Sequence, residues 1–70
     1  MQLYQLNLKI HVKTKRVEYE RYAIQYQAID DNEAIIAAKE KIASYQKDNE
    51  GKLIEPELFM VGKKVNLESN

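Results

Sequence analysis

The sequence predicts an α+β fold: an antiparallel sheet of three or four strands, in the order ββα-β or ββα-ββ, with one helix packed across one face. Three observations lead there. Residues 4–12 alternate apolar and polar side chains, the period of a half-buried strand. Residues 30–47 carry the one convincing helical pattern of the chain. The stretch after the helix is short, apolar and punctuated by Pro56 and Gly62, which is strand and turn chemistry. A helix with one apolar stripe and strands with one apolar face bury each other, so the layering follows.

In the first strand Tyr4, Leu6, Leu8, Ile10 and Val12 face one way, and Gln5, Asn7, Lys9 and His11 face the other. Lys13-Thr14-Lys15-Arg16 lacks the Asn-Gly or Asp-Gly of the tightest hairpins, but it is too short for anything except a hairpin. The second strand, 17–28, changes phase: Val17 and Tyr19 are apolar at odd positions, whereas Tyr22, Ile24, Tyr26 and Ala28 are apolar at even ones. A β-bulge near Glu20-Arg21 repairs that mismatch. The resulting register pairs Val12 with Val17, Ile10 with Tyr19, Leu8 with Tyr22, Leu6 with Ile24 and Tyr4 with Tyr26, all on one apolar face. It also sets His11 opposite Glu18 and Lys9 opposite Glu20.

The helix opens at Asp30, a good N-cap with Glu33 three residues on, and Ile29 with Ala34 offers a small hydrophobic staple. Asp48, Asn49 and Gly51 supply stop signals. At about 100° per residue, Ala34, Ile35, Ala38, Ile42 and Tyr45 form the buried stripe. Ile36 and Ala43 fall outside it, either as ordinary exposed apolar residues or as the contact with a partner chain. Lys52 to Pro56 reads as a connection, because Pro56 argues against a central strand. Two arrangements fit 57–67. A hairpin turning at Gly62-Lys63 sets Met60 opposite Val65 and Leu58 opposite Leu67. One long strand bent at Gly62 is the other.

Composition narrows the function classes. Residues 1–70 read as one small domain with a loose tail at 68–70, near the size at which a single core folds unaided, so a partner would add stability. The absence of Cys rules out disulfides and thiolate metal sites. No apolar run approaches the ~20 residues of a membrane helix, and no signal-peptide pattern is present, so a cytoplasmic location is the default expectation. Eleven basic and eleven acidic side chains cancel, so nothing in the balance demands nucleic acid or membrane.

His11 is the single histidine, paired on an open face, which suits neither a metal site nor a catalytic base. The five tyrosines (Tyr4, Tyr19, Tyr22, Tyr26 and Tyr45) all point into the layer between sheet and helix in this register. Asp30-Asp31 is explained by capping, and Asp48-Glu50 lacks calcium-loop spacing. No cofactor, metal or small-molecule substrate is expected. The leading expectation is a small non-enzymatic protein–protein interaction module, homodimeric or bound to a larger protein, of a size that suits a bacterial or phage accessory subunit. Its candidate surfaces are Gln5, Asn7, Ala23, Gln25 and Gln27 on the sheet and Ile36 with Ala43 on the helix. The alternative is nucleic-acid contact through a basic hairpin tip, Lys9, Lys13, Lys15 and Arg16, with Lys63 and Lys64 as a second basic turn.

Overall fold

The computed structural model describes the backbone of residues 1–12 and 15–68 and the side chains of 1–11 and 19–68. Five elements run in the order β1 (Gln2–Val12), β2 (Lys15–Ala28), α1 (Asp31–Asp48), β3 (Lys52–Met60) and β4 (Lys63–Val65). The strands form one antiparallel sheet ordered β2-β1-β3-β4, and α1 lies across one face of it, which is the α+β arrangement expected.

The register reads as rows across the sheet. On the helix side they are Tyr26–Tyr4–Met60–Lys63, Ile24–Leu6–Leu58–Val65, Tyr22–Leu8–Pro56 and Glu20–Ile10–Ile54. The first three β1–β2 pairings match the expected ones. The shift does not. It falls between His11 and Val12, and β2 alternates without interruption from Tyr19 to Ala28. Ile10 therefore faces Glu20, His11 faces Tyr19 and Lys9 faces Arg21; the pairs Val12–Val17, Ile10–Tyr19, His11–Glu18 and Lys9–Glu20 do not form. An irregularity beside the tip leaves the ladder under the helix unbroken. A bulge at Glu20-Arg21 would have left an unpaired residue beside it.

Lys52 to Pro56 is not a connection but the first half of β3, paired with β1 from Val12↔Lys52 to Leu8↔Pro56. Pro56 is tolerated because β4 reaches only as far as Leu58, so β3 has a partner on one side there and a proline facing the other side removes no ladder bond. Residues 58–65 form a hairpin, with Leu58↔Val65 and Met60↔Lys63 in place of Met60–Val65 and Leu58–Leu67. Its two turn residues are Val61 (φ 49°) and Gly62 (φ 78°) rather than Gly62-Lys63. Two positive φ values define a type I′ turn, whose twist matches that of the flanking strands.

The core lies between the rows and the helix. Tyr4, Leu6, Leu8 and Leu58 are within 1 % of full burial, and Ala34 and Ala38 are fully covered. Small side chains on the helix stripe let its backbone sit close to the sheet; Ile42 and Tyr45 pack at the margin. The N-cap forms as expected, with the Asp30 carboxylate accepting from the Glu33 N–H at 2.9 Å. Ile29 stays 62 % exposed, so the staple contributes little. The helix start is instead tied to the sheet by hydroxyls: Tyr4 donates to Asp31 at 2.7 Å and Tyr26 donates to the Ala34 carbonyl. Burial, reinforced by the bond to Asp31, pushes the Tyr4 hydroxyl up to about 12. At the other end the Asn49 amide donates to the Tyr45 carbonyl and the Gln46 amide to the Lys52 carbonyl, latching the helix onto β3. Within the expected tail, Glu68 donates its N–H to Asn66, and 69–70 lie outside the described residues. No described helix is long and apolar enough to cross a membrane.

Candidate functional site: the open face of the sheet

The rows of the second face are Gln25–Gln5–Phe59–Lys64, Ala23–Asn7–Glu57, Arg21–Lys9–Glu55 and Tyr19–His11–Leu53, with Gln27–Leu3 at one end. No described element covers them. One end carries an amide ladder: Gln25 donates to Gln5 at 3.1 Å and Gln5 donates to Asn7 at 2.9 Å. Beside it, Leu3, Phe59 and Val61 add apolar surface to a hollow of about 480 Å³ that Gln5, Asn7 and Gln25 also line. All five sheet residues expected at an interface (Gln5, Asn7, Ala23, Gln25 and Gln27) stand on this face.

The other end is charged and aromatic. The Tyr19 ring has Lys9 Nζ 4.9 Å and the Arg21 guanidinium 5.2 Å from its centre, and Arg21 donates to the Tyr19 hydroxyl at 3.1 Å. His11 lies against the same ring, 5.4 Å between centres. Its Nε2 is 2.9 Å from the Glu55 carboxylate, a bond that joins β1 to β3. The side chain of Glu18, the partner expected from the sequence, lies outside the described residues, and His11 is 7 % exposed rather than open to solvent. Next to this cluster Asn7, Lys9, Arg21, Ala23, Glu55 and Glu57 line a second hollow of about 340 Å³, in which two cations stand against two carboxylates.

Tyr19 is the residue that sequence reasoning misplaced. It belongs to the open face, whereas the other four tyrosines stay on the helix side. The usable signal was Arg21, two positions on: same-face neighbours along a strand let a cation cover an aromatic that solvent would otherwise reach. Tyr22, on the opposite face, is 40 % exposed at the outer edge of β2, where its hydroxyl donates to Glu20 and its ring meets that of Tyr45.

The remaining candidates scatter. Ile36 (46 % exposed) and Ala43 are exposed on α1, on the side of the molecule away from the open face, so the expected interface is two surfaces. Lys13 lies outside the described residues, as do the side chains of Lys15 and Arg16. Lys64 is on the open face two rows from Lys9, with Glu57 at 3.5 Å, while Lys63 is on the helix side; the described lysines do not converge. Among the described residues no group of three or more potential metal ligands stands together. The chain matches no protein-family model, no curated protein and no solved structure.

Proposed function

We propose that this chain is a non-enzymatic protein-interaction module that presents its open sheet face to a protein partner. The observation that carries the reading is asymmetric covering. One face of the four-stranded sheet is sealed by α1, and the other holds Gln5, Asn7, Ala23, Gln25 and Gln27 with no described element over it. A face of amides, one aromatic cluster and charges of both signs, dimpled by two hollows, offers directional bonds to a protein surface. His11 is accounted for by its bond to Glu55 and its packing on Tyr19.

The test is capture from cell extract with three purified baits: the wild-type chain, Gln5→Arg/Asn7→Arg, and Ile36→Glu. Loss of a specific protein by the open-face double variant alone supports the reading. Equal capture by that variant removes the open face, loss by Ile36→Glu alone moves the site to the helix patch, and no capture by any bait counts against a separate protein partner.

Nucleic acid is the second reading, and a specific observation favours it: an aromatic flanked by Lys9 and Arg21 on an open sheet face is how single strands are stacked and held. Glu55 and Glu57 in the adjoining rows oppose it. Anisotropy of a labelled single-stranded oligonucleotide at low salt decides: binding that fades steeply with salt and with Arg21→Glu supports this second reading, and no binding rejects it.

A further inference from the structure

The two edges of the sheet are built differently. On one side, β4 is three residues long and carries Lys63 and Lys64, and the stretch of β3 beyond it holds Lys52, Glu55, Pro56 and Glu57. Short length, charge and proline are the means by which natural edges avoid pairing with another strand. On the other side, β2 runs for 14 residues with β1 as its one neighbour. From Tyr22 to Ala28 it reads YAIQYQA, with no charge, no proline and no register shift. Nothing in that stretch blunts the outward row of backbone N–H and C=O groups.

We propose that β2 pairs antiparallel with β2 of a second copy about a two-fold axis at Ala23, joining two four-stranded sheets into one of eight strands. This goes beyond the open-face reading: the contact is the edge of the sheet and the partner is a second copy of the chain. The extent and sequence of β2 select the centre: a two-fold at Gln25 pairs only residues 22–28, whereas one at Ala23 extends the ladder over 18–28. A two-fold at Glu20 or Arg21 sets like charges directly against each other, and one at Tyr22 sets Glu20 against Ile24. Centred on Ala23, Tyr22 meets Ile24 of the partner twice by symmetry, Arg21 meets the amide of Gln25 and Tyr19 meets Gln27, while Glu20 meets Tyr26, whose hydroxyl is already donated to Ala34. The first of those pairs is apolar with apolar, and the next two are donor with acceptor. The same pairing covers Tyr22, which its own chain leaves 40 % exposed.

The experiment uses the purified chain. Light scattering on a sizing column gives a doubled mass for the wild type. Ala23 is exposed, so Ala23→Lys and Ala23→Glu each keep the monomer fold, checked by circular dichroism. Each alone raises the dimer dissociation constant by about tenfold or more, through like charges face to face, and mixing the two restores a dimer. Directly opposed residues have Cα atoms about 4.5–5.5 Å apart, within disulfide range. Ala23→Cys therefore cross-links to itself under diamide, whereas Gln27→Cys, facing Tyr19, does not; the chain has no other cysteine to confuse the result. A monomeric wild type, a dimer indifferent to both charge variants, or self-linking at 27 and not at 23 overturns the proposal. None of these outcomes touches the extract experiment, so the broader reading stands or falls separately.

Discussion

Val61→Asn should stabilise the protein. Val61 sits at φ 49° in the first central position of the β3–β4 turn, followed by Gly62 at 78°. For an L-residue the left-handed region costs about 1–2 kcal/mol, and a β-branched side chain is poorly suited to it. Asparagine is enriched in that region, and Asn-Gly is the favoured pair for a type I′ turn. The replacement sacrifices little packing. Val61 is 87 % exposed, so roughly an eighth of its surface is covered. Complete burial of a valine is worth about 1.5–3 kcal/mol, which puts the loss at roughly 0.2–0.4 kcal/mol. Relief of strain wins by about 0.5–1.5 kcal/mol. At about 4–8 °C per kcal/mol for a domain of this size, the melting temperature rises by several degrees. Far-UV circular dichroism melts at one fixed protein concentration measure it, since any self-association makes the midpoint concentration-dependent. The companion Gly62→Ala should do the reverse: no atom lies within 4 Å of an added Cβ, so its cost is backbone strain alone, about 1 kcal/mol. An unchanged or lowered midpoint for Val61→Asn would show that the valine side chain is engaged by something the strain argument omits, and would refute it.

The tyrosines set an alkaline limit. The hydroxyls of Tyr4, Tyr22 and Tyr26 all ionise above the ordinary tyrosine value, Tyr4 at about 12. The folded state then holds these protons more tightly than the unfolded chain, so their stabilisation is complete below about pH 10 and is lost as pH rises through the folded values. Urea midpoints should fall from pH 9 to pH 12, and Tyr4→Phe should flatten the fall without removing it; a steeper fall in that variant would contradict the sign. Ile36→Glu should leave the melting temperature within a few degrees of wild type and leave any β2-mediated dimer intact, because Ile36 is 46 % exposed on the helix; a dissociated dimer would relocate the contact to α1.

The fold was legible because each element carries a strong local signal: strict alternation in β1, a capped apolar stripe in α1, and matching apolar pairs from Leu8–Tyr22 to Tyr4–Tyr26. The failures share one cause. Period-two patterning reports which face a side chain prefers, and several residues here take the face that preference disfavours. Tyr19 is aromatic but lies on the solvent side, because Lys9 and Arg21 cover its ring. Pro56 lies inside a strand, because its second flank is an edge. The last turn moves by one residue, to a register that pairs the buried Leu58 and Val65 and places Val61 in a conformation its side chain dislikes. Partners supplied by a neighbouring strand are not visible from the pattern of a single strand, and His11 with Glu55 is the clearest case.

The narrowness of the helix layer connects core and edge. A single helix carrying Ala34 and Ala38 on its buried stripe approaches the sheet closely over the central strands, where Leu6 and Leu58 are sealed. Such a helix is about 10–12 Å wide with its side chains, and neighbouring strands are about 4.8 Å apart, so it covers two or three strands and cannot cover four. The shortfall at β4 is small, because that strand is three residues long and Leu67 folds back against the core. At β2 the shortfall falls on Tyr22 and Ile24, which remain partly uncovered along a strand whose outward backbone groups are unpaired by β1. Apolar surface and an unprotected edge therefore coincide at one place, and each makes the other costlier to leave in water. A second β2 removes both at once, which an unrelated protein docking on the open face would not.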